Sequence, residues 1–296
     1  MTVSPDLNVD TVEEIQEASL LRDTMRAFAR NRMALLGLVF VALLVFLAIF
    51  APIVSPHDPY RMALDEQFLP PSTTYWLGTD NFGRDVLTRI IYGARISLVV
   101  GIVPSLISLI IGTFMGVLSG YIGGKVDFVI MRLADMMIAF PSLLLAMVVM
   151  YTLGANLFNI FVALALVGWA GVARVVRSQT LALKEKEFIE AAHANGASRV
   201  TIMFRHIFPN VVPTLIVLFS LSIPDAIMWE SSLSFLGVGV QPPEASWGLL
   251  VSRGKEYLFQ APVVAIAPGV AILLTVLAFN FVGDGLRDAL DPSMKD

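Results

Sequence analysis

The chain has 296 residues, of which 56% are hydrophobic and only 15% are charged. Soluble domains are much less apolar, and several runs reach the roughly 20 apolar residues that a helix needs to cross a bilayer. The absence of cysteine excludes disulfides and thiol chemistry. A net charge of −4 without a basic run argues against nucleic acid as a partner, and three separated histidines form no metal-binding pattern. The chain is therefore predicted to be an all-α polytopic membrane protein in contact with lipid.

Six apolar segments predict six transmembrane helices. They cover residues 33–54, 95–120, 128–152, 157–177, 211–237 and 262–282. The first follows a long polar lead and is itself too long for a typical signal-peptide core, so an uncleaved helix is favoured over a removed signal peptide. With the N-terminus in the cytoplasm, fourteen of the twenty Lys and Arg residues fall inside and six outside. Because cytoplasmic segments carry the excess of Lys and Arg, both termini are predicted to be inside.

The longest outer segment, residues 55–94, is interrupted by prolines and is predicted to be mostly irregular. Its last part, 84–94, carries Arg84 and Arg89 on one helical face and apolar residues on the other. This pattern predicts a short helix on the outer membrane surface that leads into the second span.

Polar and small residues within the spans form three patterns. Gly112, Gly116, Gly120 and Gly124 are four apart, which predicts a helix face that a neighbouring helix approaches closely. Arg132 and Asp135 are three apart in the third span and are predicted to form a local ion pair. Asp225 and Glu230 have no basic residue nearby in their helix, so each is a candidate for a translocation path, with a packing contact as the alternative.

The sequence contains no recognisable nucleotide-binding or catalytic motif. The closest stretch to a nucleotide-binding P-loop, SGYIGGKV at 119–126, lacks the first glycine and ends without Ser or Thr. Metalloprotease HExxH and nucleophile GxSxG patterns are also absent. No catalytic residue, metal site or cofactor is therefore predicted in this chain, and energy would enter through an ion gradient or a partner protein.

The polar stretch KEKEFIEAAHANGASRVTIMFRHIFPN, residues 184–210, separates two strongly apolar spans. It predicts a short helix that ends at Gly196, a residue suited to left-handed backbone, and a second short helix capped by Ser198 and ending near His206. One side of this second helix is predicted to carry Val200, Phe204 and Ile207. Because the stretch is joined to spans four and five, force applied to it would move both.

Glu190-Ala191-Ala192, followed after three residues by Gly196, resembles the EAA loop of ATP-binding-cassette importer permeases. Ten residues rather than nine lie between Gly196 and Ile207, and Phe208 stands where Leu usually precedes the proline. Further stretches resemble the dipeptide, oligopeptide and nickel branch of these permeases, in the subunit type with an N-terminal extra helix. They lie at 30–40, 77–98, 123–145, 230–248 and 283–292, so the resemblance extends from about residue 25 to the end.

The resemblance implies a division into a cytoplasmic segment, 1–32, a first helix with its extracytoplasmic loop, 33–94, and a permease core, 95–296, containing the EAA loop at 184–210. It implies a type I importer fold in which Glu190, Ala191, Ala192 and Gly196 contact an ATPase. The expected partners are a homologous second permease subunit, two ATPase subunits that bind the ATP and Mg, and an extracytoplasmic solute-binding protein. The implied function is import of di- or oligopeptides, or a related small solute, across the inner membrane.

Two other functions are compatible with parts of the sequence. An ion-coupled secondary transporter or channel acting alone would use intramembrane acids such as Asp225 and Glu230, but it predicts internal repeats, and no convincing repeat is found. A membrane enzyme would need a nucleophile or metal constellation, and none is found.

Overall fold

The computed structural model describes residues 24–290, so the acidic part of the predicted cytoplasmic segment 1–32 lies outside the described residues. Within 24–290 the chain is helical, and its β-structure is limited to a single bridge between Thr79 and Asp85. Residues 24–30 are helical. The principal helices that follow are α1 (Arg32–Ile49), α2 (Val86–Ile122), α3 (Gly124–Ala139), α4 (Ser142–Leu153), α5 (Leu157–Lys184), α6 (Glu187–Ala194), α7 (Phe208–Phe235), α8 (Trp247–Gly254) and α9 (Val263–Leu290).

Five helical segments of the described range are long and apolar enough to cross a membrane, and the count is six if the bent pair α3 and α4 forms one span. The prediction of one helix over 128–152 is wrong, because α3 and α4 meet at an angle of 92°. Phe140 at the junction has an extended backbone, with φ −84° and ψ 139°. The ring of Pro141 disfavours helical backbone in the residue before it, which explains the position of the break.

The predicted short surface helix before the second span is also wrong. Residues 86–94 are the first turns of α2, which continues without interruption to Ile122. The Asp85 side chain caps this helix by accepting hydrogen bonds from the backbone amides of Leu87 and Thr88. Arg89 is only 2% exposed, so the polar face that suggested a surface helix is covered by the preceding loop.

The most extensive helix contact in the described range joins α2 to α5, and glycines make it possible. A Cβ added at Gly112 would lie 2.6 Å from Val172 Cβ, one at Gly116 would lie 2.6 Å from the Ala173 carbonyl oxygen, and one at Gly120 would lie 2.7 Å from Thr180 Cβ. The predicted close approach is therefore confirmed for these three positions. Gly124 begins α3 and has open space around it, so it does not belong to the interface.

The segment predicted to lie outside folds back on the start of α2. Tyr75 is buried, and its hydroxyl donates a 2.7 Å hydrogen bond to Glu66, which raises the pKa of Tyr75. The indole of the fully buried Trp247 donates to the Ile90 carbonyl, and the backbone amide of Trp247 donates to Ser97. These contacts fix the outer segment and α8 at one end of the bundle.

Candidate functional site

The stretch between α5 and α7 begins with the eight-residue helix α6. Glu187 and Glu190 lie in its first turn, where negative charge complements the helix dipole. The helix ends in the predicted way, because Gly196 has φ +79°. The amide of Ala197 donates to the Ala192 carbonyl and that of Gly196 to the His193 carbonyl, each at 3.0 Å. This pair of bonds is the Schellman ending, which satisfies carbonyls at the helix end.

The second half of the stretch differs from the prediction of a separate short helix. Ser198 caps a turn at Arg199–Thr201 by accepting a hydrogen bond from the Thr201 amide. A π-helical segment, Ile202–Ile207, follows and continues directly into α7. Pro209 lies at the point where the π-helical segment passes into α7, and the helix continues through it.

Three isoleucines hold the stretch against the membrane helices. Ile189 is 1% exposed, and Ile202 and Ile207 are fully buried in one cluster with Val176 of α5 and Val211 of α7. In a π-helix, backbone hydrogen bonds join residues five positions apart, so Ile202 and Ile207 lie about one turn apart on the buried side. The prediction that Val200, Phe204 and Ile207 lie on one side is wrong, because Val200 and Phe204 are exposed whereas Ile207 is fully buried.

The opposite side of the stretch is exposed and contains the predicted contact residues. Glu190, Ala191 and Gly196 are exposed, and Ala192 is half-buried. Large apolar side chains lie exposed in the same stretch, namely Phe188, Val200 and Phe204, at 43%, 59% and 63%. We call this set of seven residues the docking face. Small alanines between large apolar groups permit the backbone of another protein to approach closely.

A polar contact that the sequence did not reveal ties α6 to α2. The Tyr121 hydroxyl lies 3.1 Å from Nε2 of His193, and Lys184 Nζ donates to the Tyr121 carbonyl at 2.9 Å. Tyr121 and His193 are 72 positions apart, and no local periodicity relates them. The stretch is thus fixed to a third helix besides the two that flank it.

The ion pairs of α3 also differ from the prediction. Asp135 pairs with Arg174 of α5 at 2.7 Å rather than with Arg132 in its own helix, and both partners are about half exposed. Asp127, at the start of α3, makes a two-pronged pair with Arg177 at 2.5 and 2.6 Å. Both pairs join α3 to α5, so each partner lies about forty or fifty positions away in sequence.

Asp225 and Glu230 occupy different surroundings in α7. Asp225 is exposed and borders a cavity of about 160 Å³ together with Ser105, Ser108 and Ser222. Glu230 is fully buried, and its Oε1 accepts hydrogen bonds from Ser234 and Ser246 at 2.6 and 2.7 Å. The structure therefore does not bring the two acids into one site.

Among residues 24–290, no group of three or more His, Asp or Glu side chains is placed to hold a metal ion.

Family models match most of the chain. The family described as "Binding-protein-dependent transport system inner membrane component" matches residues 108–296, and the "N-terminal TM domain of oligopeptide transport permease C" matches residues 19–71.

Curated relatives match nearly the full length. The oligopeptide transport system permease protein OppC of Bacillus subtilis is 41% identical over 97% of this chain and 95% of that protein. The glutathione transport system permease protein GsiD of Pectobacterium atrosepticum is 44% identical over 93% of this chain and 91% of that protein. The dipeptide transport system permease protein DppC of Bacillus subtilis is 42% identical over 94% of this chain and 87% of that protein.

A solved structure shares the fold. It is an inward-facing form of the MetNI methionine ABC transporter, with a TM-score of 0.56 and 20% identity over 69% of this chain and 96% of that one. The family match over more than half of the chain and relatives above 40% identity settle the relationship. This chain belongs to the inner membrane components of binding-protein-dependent transport systems and is a permease subunit of an ATP-binding-cassette importer.

Proposed function

We propose that this chain and a homologous second permease subunit together form the membrane pathway for di- or oligopeptides, or for a related small solute. The names of the relatives support this substrate class, since they specify oligopeptide, dipeptide and glutathione transport. These relatives match along almost the whole chain, so the comparison is not limited to one shared helix. On this proposal an extracytoplasmic binding protein delivers the solute.

The docking face is the part of this chain that receives mechanical work from an ATPase. Its exposed apolar residues favour protein contact, and the buried Ile189, Ile202 and Ile207 transmit displacement to α5 and α7. Glu190, Ala191, Ala192 and Gly196 thus act in contact and geometry rather than in catalysis. Two ATPase subunits bind the ATP and Mg, and this chain holds no cofactor of its own.

A crosslinking experiment tests the docking face, because the chain has no native cysteine. A benzophenone maleimide attached at Ala191→Cys is expected to form a covalent adduct with the ATPase on irradiation of the assembled complex. The matched control is Trp76→Cys, which is 67% exposed but lies in the outer segment. No adduct at Ala191, or equal adducts at both positions, would contradict the docking role and the inside location of this stretch.

An uptake experiment tests the substrate class. The complete importer in liposomes is expected to accumulate a labelled dipeptide, tripeptide or glutathione only when both the binding protein and ATP are supplied. Uptake driven by an ion gradient without ATP would support the secondary-transporter alternative instead. ATP-dependent uptake of none of the three peptides would exclude the proposed solute class.

A further inference from the structure

Three arginines line part of a cavity at the end of the bundle opposite the docking face. Arg84 and Arg89 come from the start of α2 and its preceding loop, and Arg253 comes from α8. The cavity has a volume of about 340 Å³ and adjoins a smaller one that the same three arginines also border. The proposed coupling role uses none of these residues.

Positive charge at this cavity exceeds negative charge. Asp80 is the one carboxylate among the residues that line the two cavities. Its Oδ2 accepts from Arg84 Nε at 2.7 Å, and its Oδ1 accepts from the amides of Phe82 and Arg84. Asp80 is therefore paired mainly with Arg84, which leaves the positive charges of Arg89 and Arg253 in excess at the cavity.

Arg89 is the residue whose bonding is incomplete. It is 2% exposed, and one terminal nitrogen donates to the Pro59 carbonyl at 3.2 Å. Its Nε has no hydrogen-bond partner and lies 3.9 Å from Asp80. A buried guanidinium with an unused donor is costly unless an acceptor is present. Arg89 also borders the cavity, so a ligand there would lie beside this buried positive charge.

The remaining walls of the cavity are mostly apolar. Met62, Phe82, Pro243 and Leu249 contribute to them. Arg253 completes the positive side; it is exposed and has no salt-bridge partner among residues 24–290. An anion-binding side and an apolar side in one cavity fit a small molecule that combines an acidic group with a hydrocarbon or aromatic group.

We propose that this cavity binds the carboxylate of a small solute, with Arg89 and Arg253 as the charged contacts and the apolar walls around the solute's side chain. The planar guanidinium group matches a carboxylate in a two-pronged contact. The identification of this group as the C-terminal carboxylate of a peptide rests on the proposed function. Binding of a carboxylate as such does not depend on it.

A matched pair of compounds tests the site. N-acetyl-L-phenylalanine has a free carboxylate, and its C-terminal amide has the same shape without the charge. Binding of each is measured by saturation-transfer NMR on the assembled importer in nanodiscs, without binding protein or ATP. The acid is expected to bind about tenfold more tightly than the amide, because it gains charge-assisted hydrogen bonds.

Substitution of the exposed Arg253 avoids the folding risk of replacing the buried Arg89. Arg253→Gln is expected to remove most of the preference for the acid. Lys255→Gln is the control, since it removes the same charge two positions away and Lys255 does not line either cavity. Equal binding of acid and amide, no binding of the acid, or equal effects of the two substitutions would overturn the proposal. The binding measurement involves neither ATP nor transport. If the proposed substrate class is wrong, the uptake experiment gives a negative result, but the acid is still expected to bind more tightly than the amide.

Discussion

The Tyr121 hydroxyl and Nε2 of His193 lie 3.1 Å apart and connect the last turn of α2 to α6. Lys184, at the end of α5, donates to the carbonyl of the same tyrosine. Three helices therefore meet at Tyr121, beside the docking face. This contact gives α2 a direct mechanical connection to the stretch on which the ATPase is proposed to act.

Tyr121→Phe is expected to weaken that connection while keeping the aromatic ring in its buried position. Loss of one hydrogen bond costs about 1 kcal/mol, which leaves the importer folded. Transport per ATP hydrolysed is expected to fall several-fold in liposomes. Tyr151→Phe, at a residue 86% exposed, is the control and should behave as wild type. Unchanged coupling in Tyr121→Phe would mean that the hydroxyl contact has no mechanical role.

Substitutions at Gly196 test the backbone at the end of α6. Its φ of +79° disfavours any residue with a Cβ, by roughly 1–2 kcal/mol for left-handed helical backbone. Gly196→Val is expected to leave membrane insertion intact but to separate ATP hydrolysis from transport. Asn tolerates left-handed backbone better than other residues, so Gly196→Asn should retain much more transport. Since the glycine has open space around it, equal loss in both variants would indicate contact with a partner instead of backbone strain.

Gly116→Ala tests the close approach of α2 and α5. The added methyl group would lie 2.6 Å from the Ala173 carbonyl oxygen and 2.7 Å from Val176 Cβ, so the helices must separate. Overpacking of this kind costs about 1–3 kcal/mol, whereas the higher helix propensity of alanine returns about 1 kcal/mol. Gly171→Ala in α5 is the control, because nothing lies within 4 Å of its added Cβ. The melting temperature of the purified complex should fall in the first variant only.

Asp225 and Glu230 are expected to respond differently to substitution. Glu230→Ala removes the acceptor for Ser234 and Ser246 in a fully buried position, which should lower the melting temperature, at a cost of about 1–3 kcal/mol. Asp225→Asn is isosteric at an exposed position beside a cavity, so it should alter solute uptake and leave the melting temperature unchanged. A loss of uptake in Glu230→Gln without any loss of stability would instead place Glu230 in the translocation path.

Local chemistry accounts for what the sequence could predict. Apolar runs located the long helices apart from the bent pair α3 and α4. The ending of α6 followed from Gly196, and the cap of the next turn followed from Ser198. Predictions were wrong where the conformation or pairing of a residue depends on a partner that is distant in the sequence. The position of Arg89 on a polar helical face indicated a surface helix. Its actual partner, the Pro59 carbonyl, lies in an irregular loop, and sequence periodicity does not predict a contact with such a loop.

Asp135 illustrates the same limit. Arg132 is three positions away, at a spacing that favours a pair on one helix, yet Arg174 of α5 is the actual partner. By contrast, the break between α3 and α4 had a local signal in Pro141, whose effect on Phe140 is predictable. The orientation of the helices relative to the two sides of the membrane stays a prediction from the Lys and Arg distribution.

The two ends of the EAA stretch are joined to the membrane helices in unequal ways. At its start, α5 ends at Lys184, and the extended backbone of Lys186 precedes α6, so this joint can bend. At its end, the π-helical segment Ile202–Ile207 runs into α7 without interruption. A tilt of the stretch would therefore turn α7 as a lever over a length of about 42 Å. The displacement would reach α5 through side-chain packing instead, because Ile189, Ile202 and Ile207 cluster with Val176. The far arm of that lever carries Glu230, which holds Ser246 at the start of α8.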